Sequence, residues 1–345
     1  MGLEMVLTSN GTKNNGRRDI VHKKVSIVMA TYNPNMMYLE EQLKSIENQS
    51  YRNIELFICD DCSTEEKYSE ILNLANKVLK NTAYSIIQNE SNMGSNRTFE
   101  KLTMMATGEY IAYSDQDDQF DRDKIQVLVD LLENEGSILA YSDARVIDGE
   151  GKVISESFKR FAKRVEHTYG NDQTSFFIRR NSVTGCTMLI RSDAAKDALP
   201  FPDYKIYVHD QWITLLASTK GKISYSERPL ISYRIHGGNQ IGSSLLKQVE
   251  DKETYLKNKL IDEKARYEFL TENSKYFSIE QRREINDYLL DSQCRINFFQ
   301  HTNVSSFIFL LKNRKIDFQL FGFEVLIATL PKFAQRKMIK MIKGG

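Results

Sequence analysis

No stretch of this 345-residue chain reaches the roughly eighteen consecutive apolar residues of a membrane-spanning helix, so no transmembrane segment is expected. Cysteine is scarce too. Four residues (Cys59, Cys62, Cys186, Cys294) in so long a chain exclude a disulfide framework and point to a reducing compartment, the cytoplasm. The Cys59-x-x-Cys62 pair lacks the second ligand pair of a tetrahedral zinc site and reads as small buried hydrophobes at a strand end. Charge of one sign is also missing: 47 basic against 46 acidic residues leave +1, which excludes a general nucleic-acid binder. The first 24 residues hold no apolar core segment, so a disordered leader rather than a signal peptide is expected there.

What the chain does have is acid in clusters. Asp115-Gln116-Asp117-Asp118 follows the apolar run Tyr110-Ile111-Ala112-Tyr113, which places three carboxylates on a turn at a strand end. Clustered carboxylates repel one another, and a hard divalent cation, Mn²⁺ or Mg²⁺, relieves the repulsion while it grips substrate phosphate. A solvated acidic turn capping the next helix is the plainer reading of the same residues.

The surroundings favour the first reading. Val25–Ala30, Ile54–Cys59, Tyr84–Ile87 and Tyr110–Tyr113 read as strands. Between them Leu39, Leu43 and Ile46, then Tyr68 to Leu79, then Phe99, Leu102 and Met105 recur at helical spacing. Strands alternating with helices imply βαβ units and a mostly parallel α/β sheet of Rossmann-like type, whose ligands sit beyond the carboxyl ends of the strands. The loops found there are Thr31–Pro34, Asp60–Thr64, Asn89–Asn96 and Asp115–Asp118. All are polar and two are doubly acidic.

Physical need then assigns parts. Thr31, Asn33, Asp60 and Asp61 offer acceptors for a base and ribose, while Asn92, Gly94 and Arg97, at a helix start, suit a diphosphate. Asp115 and Asp117 would hold the cation. Gln116 and Asp118 lie beside it, facing a sugar or capping the helix expected over 122–134. His209-Asp210-Gln211-Trp212 supplies a candidate base, Asp210, next to the only tryptophan; a helix cap with Trp212 in the core is the alternative. Gly185 and Cys186 lie in a run of small residues that would let a sugar approach the backbone. His236, before Gly237-Gly238-Asn239, offers a ligand for the metal or a phosphate, or is a loop residue. The basic stretch 159–164 reads as a surface loop or an acceptor-side lid.

Beyond Leu245 the pattern turns helical, with a capping box at Ser278-x-x-Gln281 and a domain boundary expected near Ile241. From Lys312 to Gly345, eight Lys/Arg face only Asp317 and Glu324, a local +6. Apolar and basic residues alternate over 303–343, which suits either a helix lying on anionic lipid or a helical lid with its lysines in water.

Ser26–Asn33, Cys59–Thr64, Asn92-x-Gly94, Ser114–Asp118, Gly185-Cys186-Thr187, His209–Trp212 and Tyr233–His236 occur in the order of the family 2 glycosyltransferases, and over residues 25–240 the chain resembles their rhamnosyltransferase branch. The resemblance implies a GT-A fold, with a nucleotide-sugar half over 25–118 and an acceptor half over 119–240; the C-terminal helical extension over 241–345 lies beyond it and stays open between a membrane-associating region and a lid. The resemblance further implies a metal-dependent, inverting transfer from a nucleotide diphospho-sugar, with Asp117 as chief metal ligand and Asp210 as base. The donor implied is dTDP-rhamnose, with a UDP-hexose or UDP-N-acetylhexosamine as the alternative. The acceptor implied is a glycan or lipid-linked sugar of cell-surface polysaccharide synthesis, met at the inner face of the plasma membrane; a homodimer stays open. Two departures stand out: Phe120 where the branch often carries Trp, and Cys62 in place of the usual Gly. A nucleotidyltransferase would show a Gly-rich, basic loop after the first strand, and Ala30–Pro34 has none. A carbohydrate-binding module without turnover is the remaining rival.

Overall fold

The run Val25-Ser26-Ile27-Val28-Met29-Ala30-Thr31 is apolar without alternation because helices cover both its faces, and it forms the first strand of a central sheet. The computed structural model describes residues 23–162, 166–236 and 249–344. The elements follow the expected alternation: β1 (Val25–Thr31), α1 (Met36–Glu47), β2 (Ile54–Asp60), α2 (Glu65–Val78), β3 (Ala83–Gln88), α3 (Ser95–Met105) and β4 (Tyr110–Ser114). Local chemistry sets the boundaries. Asn35 caps α1 by accepting from Met37 N–H, and Thr64 caps α2, whose first turn carries Glu65 and Glu66 at the positive end of the helix dipole.

The middle of the chain adds β5 (Gln119–Phe120), α4 (Lys124–Glu135), β6 (Leu139–Ile147), β7 (Val153–Ser155), α5 (Phe158–Phe161), α6 (Thr174–Arg179), β8 (Met188–Arg191), α7 (Ser192–Lys196), α8 (His209–Lys220) and β9 (Ile223–Arg234). The helix expected over 122–134 is thus α4, and α5 covers part of the basic stretch 159–164, whose last residues lie outside the described ones.

Among the described residues nine strands make one sheet in the order β3-β2-β1-β4-β8-β6-β9-β5, with β7 on β6. It is parallel from β3 to β4 and across β6 and β9, and antiparallel at β8, β5 and β7, so the expected parallel sheet is realised in the first half and becomes mixed after it. Two apolar clusters fill its faces, one around Val28, Tyr113 and Trp212, the other around Ile27, Leu56 and Leu128.

The C-terminal region is helical, as expected: α9 (Lys252–Tyr255) and a π turn run into α10 (Asp262–Glu272), followed by α11 (Ile279–Gln300), α12 (Val304–Asn313), α13 (Phe318–Thr329) and α14 (Lys332–Gly344). The capping box opens α11, with Ser278 and Gln281 bonded reciprocally. Tyr267, Leu270, Phe277 and Ile285 join the first sheet cluster, whereas Phe298, Phe299, Leu310 and Ile327 build a third core. Inside that third core Arg295 is fully buried among Glu324, Glu263 and Asp291, and Tyr255 also donates to Glu324. Of the expected leader only Lys23 and Lys24 are described, pinned by Glu133 and Glu109, and the expected boundary at Ile241 lies outside the described residues. No described helix is long and apolar enough to cross a membrane.

Candidate active site

Register brings the acids together. Thr31 stands beside Asp60, Asp60 beside Gln88, and Met29 beside Ser114, so four parallel strands end on one edge and deliver their loops to one side of the sheet. A cleft of about 350 Å³ opens there, lined by Thr31, Asp61, Asn92, Gly94, Asp115, Gln116, Asp117, Gly185, His209 and Asp210. An adjoining hollow shares Gln116 and Asp117 and adds Asn33, Tyr38 and His236.

Hydrogen bonds sort these residues into scaffold and working surface. Asp60 is fully buried and accepts from Thr31, Ser63 and Gln88, so it does not line the cleft as expected of a nucleotide contact. It braces the loop instead. Asp61 does line the cleft, yet its two oxygens take Asn89 Nδ2 at 2.9 Å, Met93 N at 2.9 Å and Gly94 N at 2.8 Å. Gly94 opens α3 at φ 80°, a left-handed conformation in which a side chain would be strained. Cys62 also has a positive φ, 66°. Gln116 accepts from Tyr32 N–H at 2.8 Å and donates back to its carbonyl, tying the acidic turn to the end of β1.

Three more expectations need correcting. Arg97 is held by Glu100 at 2.8 Å and the Phe201 carbonyl at 2.9 Å and does not line the cleft. Trp212 is buried, donates to the Ala198 carbonyl at 2.8 Å, and packs on Tyr207, Phe269 and Tyr276, so it fastens the C-terminal helices to the sheet rather than meeting a sugar. Cys186 is buried behind the acidic turn, its Sγ within 4.8 Å of carboxylate oxygens of Asp115 and Asp118.

Burial, then the charges of Asp118, Asp117 and Asp210, hold the Asp115 carboxyl well above the usual range, and burial with Asp117 pushes Asp118 up to about 7. Asp118 Oδ2 is buried with no hydrogen-bond partner among the described residues, while its Oδ1 accepts from Arg234 N–H at 3.0 Å. Asp117 Oδ2 meets His236 Nε2 at 2.7 Å. Crowded oxygen donors, one of them unsatisfied, joined by an imidazole suit a hard divalent cation. The Cys186 thiol, held protonated by burial, does not supply a thiolate. Asp115 and Asp117 would present the ligands to the cleft, with His236 bracing or joining them.

Opposite them α8 begins. Asp210 Oδ2 accepts from Gly185 N–H at 3.0 Å, and burial raises its carboxyl to about 6 against that bond. A Cβ on Gly185 would come within 3.1 Å of His209 Nε2 and 3.4 Å of Asp210 Cβ, so a side chain there would press His209 and Asp210 back by a few tenths of an ångström. His209 stacks on Phe99 with centroids 4.2 Å apart and burial lowers it to about 3, which makes it a neutral wall of the cleft.

Three organising residues escaped the sequence reading. Arg234, almost fully buried, donates to the Asp117 carbonyl at 2.8 Å, pairs with Glu41 and lies 4.3 Å over the Tyr38 ring. Lys124 is buried beside the acids, donates to the Cys186 carbonyl and is lowered to about 7 by burial. Asn96 donates to the Pro202 and Tyr207 carbonyls and accepts from His209 N–H at 2.9 Å, which sets the start of α8. Arg234 lies inside a motif already singled out. The other two carried no signal beyond a helix start.

Residues 26–197 match the profile of glycosyl transferase family 2. An uncharacterized glycosyltransferase of Methanocaldococcus jannaschii is 29% identical over 227 residues, 65% of this chain and 75% of that one. A dTDP-rhamnosyl transferase of Shigella flexneri is 28% identical over 237 residues, 63% of this chain and 74% of that one. Among solved structures, S. aureus TarS in complex with UDP-GlcNAc superposes with a TM-score of 0.55 at 18% identity, over 84% of this chain and 79% of that one. A mannosyltransferase from Pyrobaculum calidifontis in complex with GDP-Man and Mn²⁺ gives 0.54 at 14% identity, over 94% and 82%. At such identities these two establish the fold, GT-A with a helical C-terminal region.

Proposed function

The chain belongs to glycosyl transferase family 2 and is a glycosyltransferase, and from that premise we propose an inverting, divalent-cation-dependent transfer whose base is Asp210. One observation carries the reading: Asp210, raised to about 6 and fixed by Gly185 N–H, lines the same cleft as Asp115 and Asp117.

In this reading the donor diphosphate lies toward Asp115, Asp117, Asn92 and the amides opening α3. A bound Mn²⁺ or Mg²⁺ would neutralise charge on the departing diphosphate. Asp210 takes the proton of an acceptor hydroxyl, the oxygen attacks the anomeric carbon, and the bond to the diphosphate breaks on the opposite face. A single in-line displacement inverts the configuration and requires no second nucleophilic carboxylate. His209 and Phe99 wall the site against water, which strengthens the charge interactions inside.

Rhamnose from dTDP-rhamnose is the donor we favour, on the likeness to the Shigella flexneri enzyme; a UDP-hexose or UDP-N-acetylhexosamine is the alternative. The acceptor is a glycan or lipid-linked sugar. Support for a membrane-bound acceptor comes from α12 to α14, where Phe309, Phe318 and Phe333 are at least half exposed and α14 carries Lys332 and Arg336, which reach Asp251, together with the exposed Lys340. Such a surface suits the anionic inner leaflet of the plasma membrane.

The test is consumption of a nucleotide-sugar panel with Mn²⁺ or Mg²⁺ and glycan acceptors, with the anomeric configuration of the product read by NMR. Inverted product from one donor, lost in Asp210→Asn while donor binding survives, is expected. Donors that bind without being consumed under any condition would leave a carbohydrate-binding module.

A further inference from the structure

A second cavity, of about 180 Å³, lies between α6, the start of α8 and the C-terminal helices α10 and α11, closed by the turn into α13. It is distinct from the cleft, and its lining is rich in cations: Arg179, Arg180, Lys259 and Arg266. Two carboxylates share it, and both are engaged. Glu263 holds Arg295 at 2.7 Å and Lys259 at 3.3 Å, and Asp317 caps α13 by accepting from Leu320 N–H at 2.8 Å.

Among the described residues neither Arg179 nor Arg266 pairs with a carboxylate. Their guanidinium groups lie over the rings of Tyr288 and Tyr207, at 5.3 and 5.7 Å. Nε of Arg266 is buried and has no hydrogen-bond partner among the described residues. A buried donor left unmade is costly, and a guanidinium offers a planar fork that matches phosphate oxygens two at a time. Two guanidinium forks line the one cavity, Arg266 half-buried and Arg179 exposed, with Lys259 beside them, a set of donors with the chemistry to receive a phosphate or diphosphate ester.

Its place in the fold says what that ester belongs to. Gln211, which follows Asp210 on α8, lines the cavity, and so does Asn181, whose side chain bonds Val183 at the start of the segment leading to Gly185. Cavity and cleft therefore share a wall. On its other side Ile316 and Leu320 lead to the exposed apolar and basic surface of α12 to α14. We propose that this cavity seats the phosphate or diphosphate of the acceptor substrate and so presents the acceptor hydroxyl to Asp210. The inference rests on the transfer reading, and extends it to the acceptor's chemical class.

The test separates the two. Inorganic pyrophosphate is titrated into the full chain in EDTA, which disables cation-assisted binding in the cleft, and nucleoside diphosphate with Mn²⁺ is titrated separately to report the cleft. Arg179→Gln/Arg266→Gln is expected to weaken pyrophosphate about tenfold or more and to leave nucleoside diphosphate binding intact. Arg266→Lys, which keeps charge and loses the fork, falls between. In transfer assays a glycosyl acceptor carrying a short alkyl diphosphate should show its KM raised at least about tenfold in the double variant with kcat retained, whereas the phosphate-free glycoside should not change. Pyrophosphate binding equal in wild type and double variant, or none in wild type, would overturn the site. Pyrophosphate binding lost in the variant with no KM effect on the diphosphate acceptor would overturn its assignment to the acceptor. Intact donor binding without any consumption would instead sink the transfer reading.

Discussion

Replacing Asp210 with Asn should make the protein more stable at alkaline pH and nearly inactive, and both effects come from one carboxylate. Burial holds the Asp210 carboxyl at about 6 rather than the ordinary 3.8. The folded state therefore binds this proton more tightly than the unfolded chain does, and stability falls as pH rises from about 4 through 6. Above pH 7 the ionised group costs the fold about 3 kcal/mol, at about 1.4 kcal/mol per tenfold. Asn keeps an oxygen for Gly185 N–H but carries no charge to desolvate. With an unfolding entropy of about 2.1 cal/mol/K per residue, 3 kcal/mol across 345 residues corresponds to roughly 4 °C. Paired thermal melts of wild type and variant at pH 8 and pH 4 read this directly: a gain of about that size at pH 8, and less than about 1 kcal/mol at pH 4. Transfer should drop by ~10²–10⁴, and in wild type the rate should fall as pH drops through about 6. A variant equally destabilised at both pH values would make Asp210 a structural cap, and retained transfer would remove it as the base.

Other perturbations follow from the same geometry. His236→Ala removes the imidazole from Asp117, so the Mn²⁺ concentration for half-maximal transfer should rise roughly 10- to 100-fold with little change in saturated rate; an unchanged cation titration would detach His236 from the metal. Arg295→Met leaves Glu263, Glu324 and Asp291 facing one another in the third core, and urea unfolding should show a loss of about 3–5 kcal/mol. Sedimentation with vesicles should recover the protein on phosphatidylserine-containing but not neutral membranes, and Phe318→Ser/Phe333→Ser should abolish recovery; equal partition to both would remove the basic surface as a lipid contact.

The first half of the fold was legible because β1, β2 and β4 are largely apolar runs closed by polar turns and the helices between them keep a 3.6-residue face, while the edge strand β3, partly exposed, shows only the shorter signal of Tyr84, Ile86 and Ile87. The acidic turn could be named because strand ends of one parallel sheet share an edge, whereas Asp210, in the first turn of α8, was legible only through its own motif, His209-Asp210-Gln211-Trp212. Residue type alone did not show what each carboxylate already accepts. Asp60 and Asp61 already accept from Ser63, Gln88, Asn89 and Gly94, partners that residue type does not disclose. Arg97, a phosphate ligand by residue type and position, is taken up by Glu100 and the Phe201 carbonyl. Across 137–233 the pairing of β6 with β8 and β9 joins segments distant in sequence and breaks register at bulges, which leaves no local period to read. Asn96 and Lys124 act through carbonyls more than sixty residues away, a link only the folded chain reveals.

In the proposed reaction Asp115 and Asp117, crowded at one strand end, hold a divalent ion against a diphosphate. Calorimetric titration of a nucleoside diphosphate into wild type and Asp117→Asn, each with Mn²⁺ and with EDTA, tests it most directly. Tight binding only for wild type with Mn²⁺ is expected; equal affinity in EDTA, or an Asp117→Asn variant as responsive to Mn²⁺ as wild type, would contradict it.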